Sequence, residues 1–163
     1  MNPAKTKLGL AEVEYVGHVV SATGTSFTEE KRLKVLKFLL PKTHKYLLQF
    51  ICLANYFWKN VSRMTEMVQP LRKLVWTPGA IEAFDYCQQA IANCQEVFFL
   101  EDTATPILQT DASEYGIGGY VFMVTNGKVR VVRFFSKALV GAQLNWSVIE
   151  KECYSSSRLI IRT

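Results

Sequence analysis

The sequence has no apolar run long enough to cross a bilayer. Phe38-Leu39-Leu40 and Val97 to Leu100 fall far short of the ~20 residues that a spanning helix needs. A charged-then-apolar leader of the secretory kind is also missing, so neither a membrane protein nor a secreted one is expected. Histidine is scarce, and neither His18 nor His44 lies at zinc-ligand spacing from Cys52, Cys87, Cys94 or Cys153. No C-x-x-C pair occurs, so the four cysteines are expected as small buried thiols in a reducing compartment. There is no internal repeat and no low-complexity linker. A charged fraction of 20% beside 49% apolar residues excludes wholesale disorder, and 163 residues suit one medium domain or two small ones.

The charge that is present is unevenly placed. Residues 1–75 carry 12 basic and 5 acidic side chains, a net +7, whereas residues 76–163 carry 7 and 9, a net −2. A basic front beside a slightly acidic back fits a chain whose first half holds a polyanion. Lys31, Arg32, Lys34, Lys37, Lys42, Lys45, Lys59, Arg63, Arg72 and Lys73 are interleaved with Tyr46, Tyr56, Phe57 and Trp58. Cations with intervening aromatics suit a phosphate track that also touches sugars and base edges. Solvated helix faces over a small aromatic core would give the same pattern.

Local signals divide the chain into a mainly helical front and a strand-rich back. Val13 to Ser21 reads as one strand interrupted at Gly17, with Gly24 in a following turn. Thr28 is the expected cap of a helix whose stripe is Leu33, Leu36 and Phe38 to Leu40, stopped by Pro41. Thr43 should cap a second helix, Thr65 to Val75 should form a third, and Thr77-Pro78 should open a fourth. Pro106 to Asp111 reads as a short strand. Asn126-Gly127 joins a β-hairpin, because both central residues of a type I′ turn need positive φ. A last helix begins near Ser147. The expected fold class is therefore α+β.

Two carboxylates stand out. Asp111 ends an apolar strand within Thr110-Asp111-Ala112-Ser113, a position suited to metal chemistry, although for an isolated D-A-S an Asx turn ending the strand is the commoner explanation. Ser147 and Glu150 form an S-x-x-E capping box. Positions 150 and 152 lie about 200° apart around a helix, so a capped Glu150 turns Glu152, with Ser156 and Leu159, toward the sheet and toward Asp111.

Beyond these single features, ordered strings run the length of the chain. They are Asn2-Pro3-Ala4-Lys5, EVEYVGHVVSATG (12–24), PKT (41–43), FICLANYF (50–57), QPL (69–71), WTP (76–78), EAF (82–84), LQTDASEYGIGG (108–119), FSKAL (135–139), LNWS (144–147) and EKE (150–152). In that order and spacing the chain resembles the C-terminal part of the reverse transcriptase–ribonuclease H region of gypsy-type LTR retrotransposon polyproteins.

That resemblance implies four segments. Residues 1–27 would be the end of the polymerase palm with a primer-grip hairpin, 28–75 thumb helices, 76–105 a connecting helix, and 106–163 the first half of a ribonuclease H-like domain, a truncated unit of three antiparallel strands and one helix. Tyr15, Val16, Gly17 and His18 would be the primer grip. Asn55 and Tyr56 match the family, and with Lys45, Lys59 and Arg63 of the basic run they would face an RNA–DNA hybrid or duplex template-primer. Cys52 stands where the family usually has Gly, a departure on the helix that should approach the duplex. Asp111 and Glu152 match the first two catalytic metal ligands, which implies Mg²⁺ and cleavage of RNA in hybrids. The family's polymerase Y-x-D-D motif and its later carboxylates have no match here, so the segment is expected to be inactive alone. The rest of the polyprotein would be its partner, and a cytoplasmic particle or the nucleus its location. The alternative is a domesticated, non-catalytic protein-interaction module.

Overall fold

The computed structural model describes residues 9–72 and 75–160, with 158–160 described by backbone alone. The Asn2–Lys5 string, Lys73 and the side chain of Leu159 lie outside the described residues.

The stretch expected as one strand is a hairpin. Strands β1 (Glu12–Tyr15) and β2 (His18–Ser21) pair antiparallel with Tyr15 opposite His18. Val16 and Gly17 between them both have positive φ, 51° and 76°, as a two-residue primed turn demands. Gly24 is not in a turn. It opens β3 (Gly24–Phe27), where a Cβ would lie 2.3 Å from the Val97 carbonyl of β4 (Val97–Phe98). The first sheet is therefore antiparallel in the order β1-β2-β3-β4.

Helix α1 (Glu29–Leu36) follows Thr28, whose backbone is extended as a cap requires but whose hydroxyl donates to the Gly17 carbonyl at 3.5 Å instead of capping. The expected apolar stripe is not the buried face. Val35 is fully buried, while Leu33 and Leu36 are exposed and the helix ends well before Pro41. The cause lies in α4 (Pro78–Ala92), where the Gln88 side chain donates to the carbonyls of Val35 at 2.7 Å and Phe38 at 2.8 Å. Trp76 Nε1 donates to the Pro41 carbonyl at 2.7 Å, which holds the same unwound segment.

Helix α2 (His44–Tyr56) is capped as expected, with Thr43 Oγ1 accepting from Tyr46 N–H at 3.3 Å. In place of one helix from Thr65 to Val75 there is a short α3 (Met64–Val68) and a 3-10 turn at Gln69–Arg72. Thr77 caps α4 by accepting from Ala80 N–H at 3.2 Å. Phe27, Val35, Phe50, Phe57, Phe84 and Ile91 belong to one buried cluster. A single core thus runs from β3 through the helices to α4.

The second sheet is the antiparallel meander β5 (Ile107–Ala112), β6 (Gly116–Thr125) and β7 (Lys128–Ala138), with Asn126 and Gly127 at φ 53° and 72°. Helix α5 (Val148–Ile160) covers one face, where Thr110 Oγ1 lies 3.4 Å from Ser156 Oγ and Lys137 Nζ donates to the Tyr154 hydroxyl at 2.7 Å. Successive strand residues point to opposite faces. The other face therefore carries Asp111, Gly118 and Ser136, which the register places side by side. It meets α3 there: Thr65 N–H donates to Ser136 Oγ at 3.0 Å, and Phe134 N–H donates to the Lys59 carbonyl at 3.1 Å.

All four cysteines are free. Cys87 is buried as expected, and burial pushes its thiol up to about 12. Cys52 and Cys153 are exposed, contrary to expectation. Among the described residues no helix is long and apolar enough to cross a membrane. The fold is α+β.

Candidate functional site

The tip of the β1–β2 hairpin is the first cluster. Val16 is β-branched and sits at positive φ, a conformation that costs on the order of 1–3 kcal/mol and persists only when neighbours hold it. The Tyr56 hydroxyl at the end of α2 donates to the Val16 carbonyl at 2.5 Å, and Thr28 N–H donates to the Gly17 carbonyl at 3.2 Å. Lys31 of α1 lies with Nζ 4.1 Å from the Tyr56 ring centroid. Its stem packs on Gly17, where a Cβ would be 2.6 Å from Lys31 Cε. The His18 ring lies 4.6 Å from Phe27 and 5.1 Å from Tyr56. Burial holds the His18 imidazole below its ordinary pKa, and the charges of Lys31 and Lys59 add to this. Tyr15 and Val16 project outward, 71% and 64% exposed.

The sequence-predicted contact residues Tyr15, Val16, Gly17, His18, Tyr56 and Lys59 are thus gathered at one place. Lys45 is exposed in the first turn of α2, and Leu48, Cys52 and Asn55 continue an exposed stripe at helical spacing toward the cluster. Cys52 points outward on that stripe, so its side chain disturbs no core contact. Arg63 is elsewhere: it faces the second sheet.

The carboxylates form the second cluster. Glu150 is engaged by its cap, with Oε2 accepting from Ser147 N–H at 2.8 Å and Glu150 N–H donating to Ser147 Oγ at 3.3 Å. The Ser147 backbone N–H and then its hydroxyl hold the Glu150 carboxyl below its ordinary pKa. Glu152 turns to the sheet, where Oε1 accepts from Ala112 N–H at 3.2 Å, one residue from Asp111. The Asp111 carboxylate, on the other face, is paired with the Arg63 guanidinium. Arg63 itself opens α3 at φ 53°, with Nε 3.5 Å from Glu66, and Glu66 accepts from the Ser113 hydroxyl at 2.6 Å. Asp111 and Glu152 are hard oxygen donors of the kind Mg²⁺ takes. Glu152, however, comes from the α5 side, while the Asp111 carboxylate lies on the α3 face with Arg63. The structure thus brings the two residues close along β5 without joining their carboxylates. Among the described residues no group of three or more His, Cys, Asp or Glu side chains is placed to hold a metal.

Sequence reasoning missed Lys31 as the brace of the turn, Glu66 and Ser113 beside Asp111, and Arg63 as the partner of Asp111. Lys31 and Arg63 carried only their membership in a basic run and Ser113 its place in the TDAS string, while Glu66 carried no signal.

A sheet meander ending in a strand-borne Asp, crossed by a helix that brings Glu152 to the next residue, defines a ribonuclease H-like class of fold. Residues 76–161, more than half of the chain, match the RNase H-like domain found in reverse transcriptase, and the chain belongs to that family. The match begins at Trp76, so it takes in α4 and β4 as well as the meander. The chain is 28% identical over 160 residues to the transposon Tf2-3 polyprotein of Schizosaccharomyces pombe, and equally to the Tf2-4 polyprotein. The alignment covers 93% of this chain and 12% of those polyproteins, so the chain spans about an eighth of their length. The gypsy-type resemblance fits these relatives. In fold it is similar to the foamy viral protease-reverse transcriptase in complex with RNA/DNA hybrid (20% identity, TM-score 0.75), covering 93% of this chain and 22% of that one. The same viral protein in complex with dsDNA gives a TM-score of 0.78, with 98% of this chain and 35% of that one covered.

Proposed function

We propose that the chain is the part of a retrotransposon-derived reverse transcriptase–ribonuclease H polyprotein that lies toward the C-terminal end of that region and grips an RNA–DNA hybrid or duplex template-primer. The observation that carries this reading is the hairpin-tip cluster. Lys31, Lys59, Tyr15 and Tyr56 converge on the Val16–Gly17 turn, and neither lysine has a carboxylate within 4.0 Å among the described residues. Unpaired cations beside exposed aromatics suit phosphates and sugars. Within this reading residues 1–27 are the palm end, 28–75 the thumb, 76–105 a connector and 106–163 the start of the ribonuclease H unit. The polyprotein is its physical partner, in an intracellular particle or the nucleus.

Asp111 and Glu152 would hold Mg²⁺ once the Asp111 carboxylate leaves Arg63. When bound, the metal would supply charge neutralisation at a phosphate and a water activated for attack on it. The chain's own residues aim Glu152 by engaging Glu150 in the cap, and they hold Asp111 on Arg63 until a stronger cation displaces it. Two carboxylates make an incomplete two-metal site, so the chain alone cleaves hybrids poorly or not at all.

The test is binding of an RNA–DNA hybrid across a salt series. Lys31, Lys45 and Lys59 on phosphates give log K falling with log[salt] at a slope of about −3. A second reading, a non-catalytic protein-contact module, is favoured by the exposure of Val140, Leu144, Val148 and Ile149 around the start of α5. Association that ignores ionic strength would favour it and overturn the first.

A further inference from the structure

A groove of about 440 Å³ lies between the first sheet and the β7 side of the meander. It is separate from the outward stripe of α2. Its walls include Tyr15, Val20, Phe98 and Phe99, and its charged groups are Lys59 and Arg133, with His18 at the same wall. No acidic residue lines it. Arg133 is held over two rings, its guanidinium carbon 5.4 Å from the Trp58 centroid and 5.1 Å from that of Phe135. Its Nε is buried and has no hydrogen-bond partner. With Nε closed off under the rings, an anion in the groove would be met by the guanidinium's Nη donors. Neither Lys59 nor Arg133 has a carboxylate within 4.0 Å among the described residues.

The volume falls within the roughly 300–1,000 Å³ of sites that enclose small ligands, which is room for one nucleotide and not for a duplex. Exposed aromatic rings offer a stacking surface for any base, and paired cations offer a phosphate seat. We infer that this groove takes one unpaired nucleotide of a bound strand, its phosphate on Lys59 and Arg133 and its base against Tyr15 and Phe99. The inference rests on the nucleic-acid reading above and adds to it a place for a strand end that has left the duplex.

The experiment compares binding of the full chain to a blunt RNA–DNA hybrid with binding to the same hybrid bearing a short unpaired tail that carries 2-aminopurine. The expected result is about tenfold tighter binding of the tailed hybrid, with quenching of the 2-aminopurine as it stacks. Arg133→Gln and Phe99→Ala should each remove the preference while leaving blunt-hybrid affinity in place, and Arg133→Lys should restore part of it. Phe99 is about half exposed, so its variant keeps the core. Lys45→Ala, far from the groove, should weaken both hybrids alike. Equal affinity of the wild-type chain for tailed and blunt hybrids would overturn the groove alone, as would a preference that survives both variants. Binding of neither hybrid at low salt would overturn the proposed function with it.

Discussion

Gln88 is buried in α4 and donates to the carbonyls of Val35 and Phe38; Val35 also accepts from Phe38 N–H at 3.1 Å, whereas the Phe38 carbonyl depends on Gln88. Gln88→Ala should cost about 1–3 kcal/mol in urea unfolding, since the Phe38 carbonyl loses its donor. An unchanged midpoint would show that the segment rearranges freely. At the hairpin tip, Val16→Gly should raise stability by roughly 1 kcal/mol, because glycine adopts positive φ without strain. Gly17→Ala should lower it, since φ is 76° and the new Cβ would displace Lys31. His18 adds a pH dependence. Its folded pKa lies below the ordinary 6.5, so the unfolded chain binds the extra proton first, and stability falls as pH drops from above 6.5 through the folded value. His18→Gln should flatten a stability profile measured between pH 8 and 5.

Helices and turns with local signals behave as their residues dictate, except at Thr28, whose hydroxyl donates to Gly17 instead of capping α1. Ser147→Ala should destabilise by about 1 kcal/mol through loss of the α5 cap, read by thermal unfolding. The Glu150 carboxylate, held below its ordinary pKa of 4.5, contributes stability that is present above that value and lost as pH falls through the folded one. The caps at Thr43, Thr77 and Ser147 and the Asn126-Gly127 turn were legible because each depends on neighbours within three residues. The Val16-Gly17 turn was not legible, because valine contradicts ordinary turn chemistry and is tolerated only under the Tyr56 hydroxyl, 40 residues away. The end of α1 was misread for the same kind of reason, as Gln88 acts from 53 residues further on. Glu152 turns to the sheet and Glu150 does not, because the four-residue capping box with Ser147 occupies Glu150. Arg63 was assigned to nucleic acid from its basic neighbours. Its pairing with Asp111 spans 48 residues and depends on how α3 meets the sheet.

Over the whole molecule the first half carries the net +7, with Lys31 and Lys59 at the hairpin tip and Lys45 opening α2, while the second half carries Asp111 and Glu152. Arg63 links the two halves: it opens α3 and neutralises Asp111 on the meander. Arg63→Ala should change stability by less than about 1 kcal/mol, as expected for an exposed pair, while strengthening Mn²⁺ or Mg²⁺ binding at Asp111. Paramagnetic broadening of the Asp111 and Ala112 amides by Mn²⁺ checks this, and Asp111→Asn should abolish the broadening. Equal Mn²⁺ affinity with and without Arg63 would show that the guanidinium does not guard the carboxylate. The most direct test of the grip itself is hydrogen exchange of the chain with and without a saturating RNA–DNA hybrid. The expected footprint is slowed exchange at Val16, Gly17 and His18 and through the last turn of α2 to Lys59, with the start of α5 at Val148 and Ile149 unchanged. Protection confined to α5, or none at the hairpin tip while hybrid is bound, would contradict it.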